Sequence, residues 1–329
     1  MVVYTKCSNY ASDTCPCVLA ENGHCIVCPM CRGEDFCDCP DTVSFCILQE
    51  LKNNGGHAKK PHEAIPCSVV HVKKYGDVLR LIRLRIPEGD HSAFRRLGCY
   101  VFVRVNENPY FDVPISVLND GYDSDTIGLL IEIRGIKTGY FSDIGKGDTV
   151  YLRGPYYNGL QGLRNVSGFH DGKALVLCRG IGFLPSVQVI ETLRSHNNEL
   201  TVYLDPSRFD RHILDLFNDL FEIQAWNIRI CDEKGELTEA CVGIIEDAIK
   251  NGTGLIHLGL SDYLIGKCGK VIEEQKYEAA LSFINNAHIC CGEGICGACT
   301  VNIGPNRIIH HCKDQFTLDE AKKLLGGIL

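Results

Sequence analysis

Cys291-Gly292-Glu293-Gly294-Ile295-Cys296-Gly297-Ala298-Cys299, followed at a distance by Cys312, carries the most specific chemistry of this 329-residue chain. The spacing C-x4-C-x2-C…C suits a [2Fe-2S] cluster, because a tight loop turns three thiolates inward and a distant fourth closes the site. Gly292, Gly294 and Gly297 permit positive φ and let the backbone approach the sulfides, with N–H groups aimed at negative charge. A zinc knuckle draws on paired C-x2-C or C/H units, and this loop has no matching second pair. Cys290, beside Cys291, is the alternative ligand.

Composition limits what surrounds that loop. The length suffices for two or three domains with a sizeable core. A net charge of −8 argues against nucleic acid or an anionic membrane as main partner. Twenty cysteines exceed any packing need. Disulfide scaffolds are mostly short secreted chains, whereas this one begins Met-Val-Val-Tyr-Thr-Lys without an apolar leader. The expectation is metal ligation in a reducing cytoplasm. No apolar run is long enough to span a bilayer, so no direct membrane insertion is expected.

Residues 1–66 form a separate unit by composition, holding Cys7, Cys15, Cys17, Cys25, Cys28, Cys31, Cys37, Cys39 and Cys46 with few aliphatic runs. Cys25-x2-Cys28-x2-Cys31 repeats the triplet of ferredoxin-type [4Fe-4S] sites. Cys15, Cys17, Cys37 and Cys39 compete for the fourth corner, and enough thiols remain for a second centre. Zinc is the alternative metal, since it folds segments too poor in apolar residues to fold alone. Asn53-Asn54-Gly55-Gly56 and Lys59-Lys60-Pro61 read as a linker.

From 67 to 168 the period is two. Val70-x-Val72 and Val78–Ile86 flank a Tyr75-Gly76-Asp77 turn, and Tyr100–Val105, Ile127–Ile133 and Thr149–Leu152 follow, which predicts a small antiparallel barrel. From 169 to 280 strand and helix alternate. Ala174–Cys178, Leu200–Leu204, Ile228–Ile230 and Gly254–Leu258 read as strands, and the stretch to Arg194, His212–Leu220, Thr238–Ile249 and Leu264–Gln275 as helices. That pattern predicts a doubly wound parallel sheet. Gly180 and Gly182 lie in the turn after its first strand, where such sheets receive nucleotide phosphates. Residues 281–329 form the cluster domain.

Barrel, nucleotide-type sheet and C-terminal [2Fe-2S] loop together resemble the ferredoxin-reductase-like electron-transfer subunits. That group includes the iron–sulfur subunit of type B dihydroorotate dehydrogenase and the small subunits of sulfide dehydrogenase and NADH-dependent ferredoxin:NADP oxidoreductase. The resemblance covers roughly the last four-fifths of the chain, its cluster loop being the most specific part. It implies FAD in the barrel. The family's Arg-Pro-Ile-Ser-like strand is here Val113-Pro114-Ile115-Ser116, without the arginine that meets the flavin pyrophosphate. The next segment maps onto Leu130-Ile131-Glu132 and Gly135-Ile136-Lys137-Thr138, where Lys137 is placed to restore a positive charge. The Gly-Pro-x-Gly-Asn-Gly element appears as Gly154-Pro155-Tyr156-Tyr157-Asn158-Gly159. The nicotinamide side departs further. The turn is Cys178-Arg179-Gly180-Ile181-Gly182-Phe183-Leu184-Pro185, and Gly259-Leu260-Ser261 stands where relatives carry Cys-Gly-Pro.

The implied activity is electron transfer between FAD, coupled to NAD(P), and iron–sulfur clusters, to or from a catalytic flavoprotein subunit or a ferredoxin. A flavin accepts a hydride and releases electrons singly. No side chain is required as acid or base. Cys291, Cys296, Cys299 and Cys312 carry the cluster, with Ser116 near the flavin ring. Two other classes are a self-sufficient NAD(P)H:acceptor reductase and a non-catalytic metal-binding assembly subunit.

Overall fold

Alternating apolar residues between 65 and 156 close on themselves. In the computed structural model, which describes residues 6–39, 45–87, 91–119, 121–209, 216, 225–276, 280–304 and 307–316, six strands form this part: β1 (Ile65–Tyr75), β2 (Leu79–Arg85), β3 (Tyr100–Arg104), β4 (Val113–Leu118), β5 (Thr126–Glu132) and β6 (Thr149–Tyr156). They form a closed antiparallel barrel in the order β1-β2-β5-β4-β3-β6. Strand alternation divides the apolar side chains between two destinations. Ile82, Leu84, Ile127, Leu129 and Ile131 fill the barrel. Leu79, Leu81, Leu118 and Leu130 point outward and pack against the second domain.

That second domain is a six-stranded sheet built from β7 (Leu160–Gln161), β8 (Lys173–Arg179), β9 (Glu199–Asp205), β10 (Trp226–Asn227), β11 (Leu255–Gly259) and β12 (Ala280–Ile284). The order is β10-β9-β8-β11-β12-β7. The expected doubly wound parallel arrangement holds for β8 to β12, while β7 joins antiparallel at the edge. Core residues cover both faces, so the inner strands read as continuous apolar runs. The helices Phe183–Ser195, Glu239–Lys250 and Asp262–Glu274 match their predicted positions within a few residues. Thr238 caps the second, its Oγ1 accepting from the Cys241 N–H at 3.2 Å.

Two expectations are revised. The strand read at Ile228–Ile230 is instead the pair Trp226–Asn227, because the Ile230 N–H donates to Asp205 Oδ2 (3.0 Å) rather than to a neighbouring strand. The boundary at 280 falls at the start of β12, which belongs to the nucleotide-type sheet. The pattern at His212–Leu220 lies outside the described residues apart from Leu216. No described helix is long and apolar enough to cross a membrane.

In the first unit, short helices Val18–Glu21 and Ile47–Asn53 enclose a core of Cys15, Ala20, Cys25, Cys28, Cys31 and Ile47. Thiols thus replace the aliphatic side chains that a segment of this size lacks. The linker folds back on this unit. Ala58 N–H donates to Glu21 Oε2 (2.6 Å) and Lys59 N–H to the Pro16 carbonyl (2.9 Å).

His257, at the centre of β11, is fully buried between Ser186 Oγ (2.9 Å) and Ser282 Oγ (3.1 Å). Burial pushes its pKa down to about 3. Its folded pKa lies below the unfolded value near 6.5. The unfolded chain therefore takes up this proton first as pH falls. Stability from this group is present above about 6.5 and is lost toward pH 3, by about 1.4 kcal/mol per pH unit. Urea titrations of His257→Gln should show a shallower acid decline than the parent.

Candidate metal centre and cofactor cleft

The C-terminal loop brings its cysteines together. The Cys312 thiol hydrogen-bonds Cys291 and Cys299, and Cys291 also meets Cys296. These contacts hold Cys291 down at about 4 and Cys299 at about 7, while Cys312, at the proton-carrying end, is pushed up. The Glu293 N–H donates to Cys291 Sγ at 3.2 Å. Gly292, Gly294 and Gly297 all have positive φ. At Gly292 a Cβ would come within 2.7 Å of the Tyr156 ring, so the loop lies flat against the barrel. Cys290 is exposed and stands outside these thiol pairs, whereas Cys291 lies within them. Among the described residues no three His, Cys, Asp or Glu side chains are gathered to hold a single metal ion. Thiols paired along a glycine-bent loop, already sharing protons, fit the donor set of a two-iron cluster, whose ligands bind as thiolates.

Two barrel residues, Arg153 and Tyr156 of β6, support the loop from beneath. Arg153 Nη1 donates to the Cys291 carbonyl (2.8 Å) and to the Tyr156 hydroxyl, and its other nitrogens hold Asp112. Tyr156 donates to Glu293 Oε1 at 2.9 Å. Glu293 also receives Lys313 Nζ (3.3 Å) and lies 3.4 Å from His62 Nδ1 of the linker. Burial raises the Glu293 carboxyl, but these partners outweigh it and keep the group at about 2.

Beside the loop, a cleft of about 720 Å³, open to solvent, runs between barrel and sheet. Pro114, Ile115, Ser116 and Leu130 line its barrel wall, Ile181, Gly182, Leu184 and Pro185 the opposite wall, and Ile284 to Ala287 with Ile289 its floor. Tyr100, absent from every sequence motif, joins cleft to metal centre. Its ring lines the cleft and packs in one cluster with Phe102, Tyr156, Cys299 and Cys312. Its hydroxyl is buried without a hydrogen-bond partner, an orphan that a ligand with polar ring atoms satisfies. Tyr100→Phe should stabilise the cofactor-free protein by about 1 kcal/mol, because an unpaired buried hydroxyl is removed. The same change should weaken FAD retention roughly tenfold, through one lost hydrogen bond. Thermal unfolding and flavin release check the two halves.

Other expected cofactor residues lie elsewhere. Ile131 points into the barrel interior, as strand alternation demands once Leu130 faces outward. Glu132 pairs with Arg208 of the second domain. Val113 pairs with Val103 in the barrel wall. Lys137 Nζ donates to the Asp112 carbonyl (2.9 Å), and Thr138 Oγ1 accepts the N–H groups of Arg134 and Gly135. Gly154 and Pro155 belong to β6. Asn158 is wholly buried and holds the cluster segment, donating to the carbonyls of His311 (2.6 Å) and Asp314 (2.9 Å). In the nucleotide-type turn, Arg179 is committed to Asp205 at 3.1 Å. Gly180 has φ +54° and packs near Phe209, and Gly182 packs against Gly259.

No protein-family model matches the chain. It is 24% identical over 223 residues to the dihydroorotate dehydrogenase B (NAD(+)) electron transfer subunit of Streptococcus mutans, covering 66% of this chain and 81% of that protein. Against the Methanopyrus kandleri counterpart it is 27% identical over 249 residues, 73% of this chain and 86% of that one. Among solved structures, the NADH-dependent reduced ferredoxin-NADP oxidoreductase aligns with a TM-score of 0.59 at 17% identity, covering 77% of this chain and 88% of that one. Phthalate dioxygenase reductase aligns at 0.52 and 13% identity, covering 78% and 96%. The chain has a ferredoxin-reductase-like fold. Its curated relatives are electron transfer subunits. The unit before residue 66 is rich in cysteine, and the Cys25, Cys28, Cys31 triplet expected from spacing packs in one buried cluster with Cys15, the Cys28 N–H donating to Cys25 Sγ at 3.3 Å. Cys28 pairs with Cys31, which also senses Cys25 and Cys46, and Cys37 pairs with Cys39. Cys25 faces Cys7, Cys15 and Cys17 across a cavity.

Proposed function

We propose that this chain is the electron-transfer subunit of a flavin and iron–sulfur oxidoreductase, working with a catalytic flavoprotein. The carrying observation is the shared position of Tyr100, one face in the cleft and the other packed with Cys299 and Cys312. When bound, FAD accepts a hydride and yields electrons singly, and a two-iron cluster carries them one at a time. Pro114, Ile115, Ser116 and Leu130 form the wall that receives the flavin. Cys291, Cys296, Cys299 and Cys312 hold the [2Fe-2S] cluster, with Arg153 and Asn158 fixing the two chain segments that carry them. The facing turn, Ile181 to Pro185, is where NAD(P)H reaches the flavin. Cys296 and its neighbour Ile295 are exposed, which leaves that side of the loop open to the partner flavoprotein or to a ferredoxin. The thiols of the first unit hold an iron–sulfur centre of [4Fe-4S] type that lengthens the route. Thiolate-held clusters suit a reducing cytoplasm.

The test is an inventory of iron, acid-labile sulfide, zinc and flavin per chain on anaerobically purified protein, followed by NAD(P)H addition. Iron and sulfide exceeding one two-iron cluster, FAD near one per chain and bleaching of both chromophores are expected. Zinc in place of the additional iron, with little flavin, overturns the proposal and favours an assembly role.

A further inference from the structure

The N-terminal unit does not hang beside the reductase fold as an appendage. Cys7 forms a β-bridge with Asp314, the Ser8 N–H donates to the Lys313 carbonyl at 2.9 Å, and the Gln315 N–H donates to the Lys6 carbonyl at 2.8 Å. Cys7 and Cys312 therefore each stand one residue from the two ends of a single hydrogen bond. Gly294 of the cluster loop makes a second contact. With φ at +81°, it lies so close that a Cβ there would meet Leu19 Cδ1 at 2.8 Å and Lys313 Cγ at 3.5 Å. Leu19 in turn lines a small, partly enclosed space together with Cys7, Cys15, Cys17 and Cys25. Between the two thiol groups lies Lys313, with no exposed surface and its ammonium 3.3 Å from Glu293. Its ion pair with the Glu293 carboxylate is enclosed on both sides by the two chain segments that carry these thiols.

We propose that Cys7, Cys15, Cys17 and Cys25 hold the N-terminal iron–sulfur centre, that it adjoins the C-terminal cluster across the Ser8–Lys313 contact, and that the Lys313 ammonium is the cation both share. This deepens the proposed function and rests on its reading of both thiol groups as iron sites. The step is the movement of one electron from one centre to the other, which breaks no bond and carries no proton. A reduced centre bears one more negative charge than the oxidised one. A cation held in a low-dielectric interior favours that state in whichever centre faces it. Lys313 thereby raises both potentials together, and Glu293 limits the effect by neutralising part of its charge.

The experiment is an EPR-monitored redox titration of the full chain, with iron and sulfide counted first. Lys313→Met should lower the midpoint potentials of both centres, and Lys313→Arg should leave them near the parent values. Movement of the C-terminal potential alone, or of neither, at unchanged iron content overturns the shared-cation role while leaving the electron-transfer reading intact. Lys313→Met leaves Glu293 buried without its cation, so the pair Lys313→Met/Glu293→Gln is compared with Glu293→Gln alone. That comparison removes the same ammonium without stranding a charge, and the same downward shift of both potentials is expected. Cys7→Ser tests the ligand set. It should cost the N-terminal centre's iron and preserve the C-terminal EPR signal, and full iron retention overturns the assignment. In the fully reduced parent protein the two signals should broaden each other, and independent signals overturn the adjacency.

Discussion

Cys312→Ser should abolish the C-terminal cluster while leaving flavin in place. Cys312 is buried at the meeting point of the loop, hydrogen-bonded to both Cys291 and Cys299, and its neighbours His311 and Asp314 are held by Asn158. Serine keeps the shape but not the soft thiolate that iron requires. Iron and sulfide should fall by one two-iron cluster, and the corresponding EPR signal of the reduced protein should vanish. Transfer from NAD(P)H to a one-electron acceptor should drop by more than the ~10–100-fold that loss of an outer-shell partner costs. FAD content should persist, since Cys312 does not line the cleft. Cys290→Ser is the paired control and should change none of these readouts. Equal loss of cluster in both variants would mean that the loop binds through the other neighbour.

The contrast between Cys290 and Cys291 also marks where sequence stops being informative. C-x4-C-x2-C with interleaved glycine identifies the loop, because spacing and backbone freedom are local properties. Which of two adjacent thiols turns inward depends on the Glu293 N–H at Cys291 Sγ and on Arg153 gripping the Cys291 carbonyl from 138 positions away. The barrel and sheet were legible for the same local reason, through period-two alternation and buried apolar runs. The antiparallel edge β7 was not, being only two residues long. In the first unit, spacing suggested the triplet Cys25, Cys28 and Cys31, which packs in one cluster, but gave no sign that Cys25 also borders a space shared with Cys7, Cys15 and Cys17. Tyr100, Glu293 and Lys313 carry no motif at all. Their significance comes from burial and from partners distant in the chain, and a tyrosine in a strand or a lysine after a cysteine gives no local sign of either.

Gly182→Ala should destabilise the nucleotide-type domain by about 2–3 kcal/mol, the cost of overpacking where nothing can yield. A Cβ at this position would stand 2.3 Å from the Gly259 carbonyl oxygen and 2.9 Å from its carbon. Both are backbone atoms at the end of β11, held in the sheet by β8 and β12. No rotamer change relieves the clash, and shifting β11 would disturb the His257 contacts with Ser186 and Ser282. Gly180→Ala tests the other glycine of the turn. It has φ +54°, and its nearest neighbour is the flexible Phe209 ring at 3.2 Å, so its cost should be nearer 1 kcal/mol, mainly from the left-handed backbone. Urea unfolding of the two variants measures the order directly. The predicted order follows if Gly182 is a glycine because helix and strand must touch. A larger cost at Gly180, or no loss of stability at Gly182, would return the turn to the simpler reading of a loop left open for phosphate. Since Gly182 also lines the cleft, the displaced wall should loosen flavin as well, a secondary effect that Gly180→Ala should lack.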